Sequence, residues 1–349
     1  MSFSSSPVKI QNQPLEKKEE AIFTEQNIRY SGNRLSSLNW LFFFDFSKRT
    51  FEYYEPEKSL WKSNDLNTAK NDCPKNPLMF YNNETGNKGQ AEEQLSNMSF
   101  ALVGNGSVHI IGGFHPLFSN LEYNIAQNTF TQKAKMLKNA NNPNLCHMDR
   151  FIYSLSGDEI DNYGTRFDRY DTVKNEWNEF PPLPQPHGFG AALCVVTNSD
   201  KVNTMGVRST VKVVVAGGLS QKLPRKYNSA MSIFDFRDMA WGQIAFDSLF
   251  ERVPRFVKSP LVQDEAGKIH ILGAEGTAEC YVIDIEKKTA NKHGKLSRGD
   301  DPEKAGFLGD AIVHEGYAYF IYKRQDLRAT RGMLRLHKGN LEAGVWDVI

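Results

Sequence analysis

Arg169–Gly188 reads RYDTVKNEWNEFPPLPQPHG. Tyr170 and Asp171 lead, Trp177 follows seven positions after the tyrosine, and a proline-studded run then ends in His187-Gly188. Apolar residues alternate before the acid, a polar turn (TVKNE) follows, and a β-favouring residue restarts the chain, which is hairpin chemistry. Asp171 heads the turn, where its carboxylate can accept backbone N–H groups two residues on and fix the turn locally.

The same spelling recurs. An aromatic, an acid or amide, a small or apolar residue, four further residues and a second aromatic are found as FDFSKRTF (Phe44 with Phe51), YNIAQNTF (Tyr123 with Phe130) and FDFRDMAW (Phe234 with Trp241). IDIEKKTA (Ile283 with Ala290) is a weaker copy, and LRLHKGNLEAGVW (Leu334–Trp346) a distorted one. A second element precedes most copies: two apolar strands around a short turn, ending in glycine. FALVGNGSVHIIGG (Phe100–Gly113), LCHMDRFIYSLSG (Leu145–Gly157), FGAALCVV with VKVVVAGG (Phe189–Val196, Val211–Gly218), SPLVQDEAGKIHILGAEG (Ser259–Gly276) and GDAIVHEGYAYFIYK (Gly309–Lys323) are these segments. Near-continuous Val, Ile, Leu and Ala suit strands covered on both faces. Each unit therefore holds four strands, and most units recur at about 50 residues, a period of repeat architectures.

On Gly112-Gly113 and Gly217-Gly218, on Tyr170 with Trp177 and Phe234 with Trp241, and on the loop LPQPHG (Leu183–Gly188), the chain resembles the kelch-repeat β-propellers. The resemblance covers residues 21–349. It implies an all-β fold, a kelch-type β-propeller of six four-stranded blades (five or seven also fit the spacing), closed by strands from both chain ends sharing a blade. The fit is weakest at the ends: AIFTEQNIRYSG (Ala21–Gly32) is the only source of a first strand pair for unit one, and Ala290 stands where an aromatic is expected. Residues 57–98, rich in Asn, Lys and Asp, read as a polar insertion between the first and second blades, and residues 1–20 as a flexible tail.

Composition narrows the function classes. With 349 residues, 40% hydrophobic and 24% charged, the chain can bury a large core. A formal net charge of +1 gives no bulk attraction to nucleic acid or to an anionic membrane. No apolar run is long enough to span a bilayer, and the polar start MSFSSSPVKI lacks the core of a signal peptide. Cys73, Cys146, Cys194 and Cys280 show no paired spacing and read as reduced thiols. Without a signal peptide the sequons at Asn83, Asn97 and Asn105 are expected to go unused, and the expected location is the cytoplasm.

Catalytic or metal chemistry is hard to find. His109 (VHIIGG) and His270 (IHILGA) fall at the same place in different units, so repeat symmetry explains them as structural residues. His187 and His314 fall near loops or turns, and His115, His147, His293 and His337 lack ligand spacing. No metalloprotease, nucleophile-elbow or phosphate-loop motif is present. No cofactor or metal is expected.

Loops are the better lead. In an antiparallel four-stranded blade the second-to-third and fourth-to-first connections leave on one face. That face would hold FHPLFSN (Phe114–Asn120), LSQKLPRKYNS (Leu219–Ser229), ERVPRF (Glu251–Phe256) and KRQDLRATR (Lys323–Arg331). Lys222, Arg225, Lys226, Arg252, Arg255, Arg324, Arg328 and Arg331 would form a basic rim with Phe114, Phe118 and Tyr227 as anchors. Arginines and aromatics on loops of a rigid scaffold suit a protein interface. The expected function is a non-enzymatic scaffold or adaptor whose partner offers an acidic segment. Two alternatives stand beside it: an enzyme with its site over the central channel (a kelch-type oxidase or epimerase), and a structural subunit of a cytoskeletal or other large assembly.

Overall fold

The computed structural model describes residues 22–24, 28–32, 40–45, 49–72, 98–112, 120–138, 140, 142–155, 164–188, 190–197, 211–219, 226–257, 259–264, 266–274, 277–296, 305–324 and 331–348. They form six four-stranded antiparallel sheets in a ring, a six-bladed β-propeller. Strand β1 (Ile22–Thr24) comes first in the chain. Blade 1 is β2 (Ile28–Gly32), β3 (Leu41–Asp45), β4 (Thr50–Glu55) and β5 (Leu60–Asp65). After β6 (Lys70–Asn71), blade 2 is β7 (Met98–Val103), β8 (Ser107–Gly112), β9 (Asn120–Asn124) and β10 (Thr129–Gln132). Blade 3 is β11 (Asn144–Met148), β12 (Phe151–Leu155), β13 (Phe167–Asp171) and β14 (Glu176–Phe180). Blade 4 is β15 (Ala192–Thr197), β16 (Val211–Ala216), β17 (Ala230–Asp235) and β18 (Ala240–Ala245). Blade 5 is β19 (Leu261–Gln263), β20 (Ile269–Ile271), β21 (Glu279–Asp284) and β22 (Thr289–Lys295). Blade 6 is β23 (Ala305–His314), β24 (Tyr317–Arg324), β25 (Arg331–Asn340) and β26 (Val345–Val348).

The innermost strands β2, β7, β11, β15, β19 and β23 touch in that order, and β23 touches β2 again. Both chain ends close the ring. β26 pairs with one end of β25 (Gly339 opposite Trp346), and β1 with the other (Phe23 opposite Gly332).

Each seam between blades has its own apolar cluster. Phe44, Phe51, Phe100, Tyr123 and Phe130 fill the seam of blades 1 and 2, Ile111, Met136, Tyr170 and Trp177 that of 2 and 3, and Tyr153, Phe167, Phe180, Val213 and Phe234 that of 3 and 4. Met231, Phe246, Phe256 and Ile283 fill the next, Cys280, Phe320 and Trp346 the fifth, and Phe43, Tyr54, Ile312 and Tyr319 the last. Burying large rings at every seam supplies the main driving force, because wedge-shaped sheets have little apolar surface to bury alone.

The quoted hairpin is β13–β14. Tyr170 and Trp177 are cross-strand partners, as are Tyr123 with Phe130, Phe234 with Trp241, and Ile283 with Ala290. Asp171 Oδ1 accepts the Val173 and Lys174 N–H groups at 3.0 and 3.1 Å. Asn124, Asp235, Asp284 and Asn340 head their turns in the same way.

Two units differ from the sequence reading. Phe44 and Phe51 are partners, but on the second and third strands of blade 1, one strand further in than in blades 2 to 5. The fourth strand of that blade is Leu60–Asp65, inside the polar stretch 57–98, and Lys70–Asn71 extends blade 2 as β6. The cause is physical: outer strands face solvent, so LWKSND carries no apolar signature of its own. Residues 73–97, and residues 1–21, lie outside the described residues. In blade 6 the partner of Trp346 is Gly339, not Leu334. Among the described residues no helix is long and apolar enough to cross a membrane.

Candidate partner-binding face

In blade 4 the second-to-third connection runs from Ala216 to Ala230, and the fourth-to-first connection to blade 5 runs from Ala245 to Leu261. By antiparallel topology they leave on the same face. Gly217 and Gly218 take φ of +68° and +95° directly after β16, where a side chain would collide with the Phe256 carbonyl and the His187 carbonyl respectively. That is the physical need behind the double glycine. The Gly218 N–H then donates to Phe256 O at 2.7 Å, tying the two connections together.

The far end of the loop is tied as well. Leu219 and Tyr227 form a β-bridge, and the Asn228 N–H donates to Gly218 O at 3.0 Å. Asn228 Nδ2 donates to Pro186 O (2.8 Å), while its Oδ1 accepts Gln185 Nε2 (3.1 Å) and the Ala230 N–H (2.8 Å). Buried His187 lies beneath. Its Nδ1–H donates to Gly217 O (3.0 Å) and its Nε2 accepts the Ser232 hydroxyl (2.8 Å), which fixes the neutral tautomer. Burial lowers its pKa to about 4. The proline-rich run of blade 3 is thus the support of the blade 4 loop. Gln185 and Asn228 do this holding, and nothing in their isolated spelling marks them for it.

On this support Tyr227 stands 38% exposed, with the Arg255 guanidinium stacked over its ring at 4.8 Å from the centroid. Lys226, Arg252 and Arg255 are exposed, and among the described residues none of the three is ion-paired with an acid. A guanidinium over an aromatic face is attracted by the ring and can still offer N–H donors to an anion.

Of the basic rim read from sequence, the structure brings Tyr227 and Arg255 together, with Lys226 adjoining. Arg252 lies three residues before Arg255. Arg324 ends β24 and Arg331 begins β25, so both flank the equivalent connection of blade 6. Phe114, Phe118, Lys222, Arg225 and Arg328 lie outside the described residues.

Among the described residues, four further histidines serve packing and hydrogen bonding. His109 Nδ1 meets Asn120 Oδ1 at 3.1 Å, and His270 Nε2 meets Asp264 Oδ2 at 2.8 Å, both from the second strand of their blades. His147 is buried at the seam of blades 2 and 3, and burial lowers its pKa to about 3. His293 Nε2–H donates to Leu341 O at 2.6 Å across the seam of blades 5 and 6. Among the described residues no group of three or more His, Cys, Asp or Glu side chains could hold a metal ion. Among the described residues Cys146, Cys194 and Cys280 are not in disulfides, and the latter two are buried.

The fold defines the chain as a six-bladed β-propeller. Its sequence matches no protein-family model, and no curated protein matches it in sequence.

Proposed function

We propose that this chain is a kelch-type propeller serving as a non-enzymatic scaffold or adaptor in the cytoplasm, holding a partner protein on its second-to-third and fourth-to-first loop face. Support for the kelch reading comes from Gly217-Gly218, whose positive φ and close approach to Phe256 and His187 give the double glycine a mechanical role. The tyrosine–tryptophan hairpin supports it too, since its rings fill a seam.

The observation that carries the binding reading is Arg255 stacked on half-exposed Tyr227, on a loop tied to its neighbours at both ends. A rigid arginine–tyrosine pair beside Lys226 and Arg252 suits an acidic protein segment. The test is capture by the immobilised full chain against Arg255→Glu and Tyr227→Ala. Partners that the wild type retains in the presence of salt should be lost from Arg255→Glu, with affinity reduced about tenfold or more and melting unchanged. Identical partner profiles for all three proteins would remove this face as the binding surface.

A further inference from the structure

The outer strands of the blades differ in how they protect their edges. β5 carries Lys62 and Asp65, β14 Glu176 and Glu179, and β26 Asp347. β22 carries Lys292 and Lys295, with Gly294 at φ +83° and a register shift on its partner strand. Charges and bulges of this kind keep an edge from pairing with another strand. Two outer strands hold no charged residue: β10 (TFTQ) and β18 (AWGQIA). β10 is covered, since β6 lies parallel to it, with Lys70 N–H donating to Asn128 O (2.8 Å) and Asp72 N–H to Phe130 O (2.9 Å). β18 ends its sheet, and no described strand pairs with its outer side.

The bonding pattern shows which groups of β18 are free. Phe246 N–H donates to Ser229 O at 2.7 Å, just beyond the Ala230–Ala245 pair. Bonded and non-bonded pairs alternate in an antiparallel ladder. Ile244 with Met231, Gly242 with Ile233 and Ala240 with Asp235 are therefore the bonded pairs. The N–H and C=O groups of Trp241, Gln243 and Ala245 consequently point away from β17, and of these the Ala245 C=O already accepts the Ser248 hydroxyl at 2.6 Å. Around them Ala240, Gly242, Gln243 and Ala245 are exposed, and Met239 at the strand's start is an exposed large apolar side chain.

We propose that β18 is the pairing edge for a second copy of this chain, the two β18 strands running antiparallel about a two-fold axis at Gln243. In this register Gln243 faces its own copy and Trp241 faces Ala245, each such pair exchanging two backbone bonds. The paired stretch is bounded by the turn before Ala240 and by the 3-10 turn Phe246–Ser248, and within it no charged residue is present. A two-fold edge places every residue against a partner of the same strand, which suits the uncharged β18 and none of the four charged edges. The covered state of β10 shows that an uncharged outer edge of this propeller accepts a further strand.

Ala245→Pro tests this directly. Ala245 has φ −71°, which proline adopts without strain, and its N–H lies on the free side, so the blade loses no internal bond. Gln243→Lys, a surface change, sets two ammonium groups on the axis. Sedimentation equilibrium of the full chain over a concentration series should show the wild type passing from one copy to two. Both variants should stay single at every concentration while melting with the wild type. A wild type that stays single throughout overturns the proposal, and so does pairing that survives Ala245→Pro. Should Ala245→Pro melt early, Gln243→Lys decides alone: pairing retained overturns the proposal and pairing lost upholds it.

Discussion

The indole N–H of Trp177, on the outer strand of blade 3, donates to the carbonyl of Ala134 in the chain leaving blade 2, at 3.0 Å. Trp241 of blade 4 does the same to Pro181 in the chain leaving blade 3, at 2.7 Å. Each tryptophan therefore ties its blade to the exit of the one before. The tie at Ala134 is doubled, because Asn175 Oδ1 accepts the Ala134 N–H (2.7 Å) and the Tyr170 hydroxyl (2.6 Å). Trp177 is 7% exposed and packs against Tyr170, with ring centroids 5.0 Å apart.

Trp177→Ala should destabilise the propeller by about 3–5 kcal/mol, from lost burial and the cavity left behind. Trp177→Phe keeps most of the ring but removes the donor, and should cost about 1 kcal/mol from the hydrogen bond plus a smaller packing loss. Urea denaturation measures both. A Phe variant as damaged as the Ala variant would show that the bond, not the burial, holds the seam.

The pH dependence follows from two buried histidines. Burial lowers His147 to about 3, with the charge on His109 adding to the effect, and lowers His187 to about 4. Each is neutral when folded, while unfolded imidazoles titrate at about 6.5. Where the folded pKa is depressed, the unfolded chain binds the extra proton first. Stability is therefore full above about pH 6.5 and falls as pH drops below it. At pH 5 each residue should have withdrawn about 2 kcal/mol. The carboxylates with lowered pKa, Asp171 and Asp284 among them, act in a more acidic window below their usual range. Replacing His147 with Phe should flatten the stability curve between pH 7 and pH 5 by about 2 kcal/mol, whatever it does to stability at pH 7. An unchanged slope in denaturant melts at the two pH values would mean that His147 does not remain neutral in the fold.

Legibility followed burial. Strands covered on both faces, such as Val211–Ala216 and Ser107–Gly112, are apolar over most of their length and read directly from sequence. The turn acids read equally well, since their hydrogen bonds are local. β5 did not, because an outer strand needs only alternate contacts and LWKSND spells nothing specific. The FDFSKRTF hairpin misplaced the strands of blade 1 because any four-residue turn between aromatic partners has that spelling, whichever two strands of a blade it joins. At the candidate site, arginines on loops were legible as residue types. The pairing of Arg255 with Tyr227 was not, since it depends on Gln185 and Asn228 from two different blades meeting in space.

Blade 6 shows the limit of spelling most plainly. Gly339 is the cross-strand partner of Trp346, at the place where Tyr123, Tyr170 and Phe234 stand in their own blades. The Trp346 ring lies over the glycine, and an added Cβ would fall on it. Trp346 is 4% exposed and meets Phe320 edge-on at 5.8 Å, so the ring cannot shift without opening the seam of blades 5 and 6. Gly339→Ala should therefore cost about 3 kcal/mol, through overpacking against an immobile ring. Trp346→Leu alone should cost about 2–3 kcal/mol by underfilling the same space. Combined, the collision disappears, and the double variant should be more stable than the sum of the two losses by at least about 1 kcal/mol. Chemical denaturation of the four proteins measures that coupling. Strict additivity would mean that the indole does not rest on Gly339, and that the missing aromatic in this blade is compensated elsewhere in the seam.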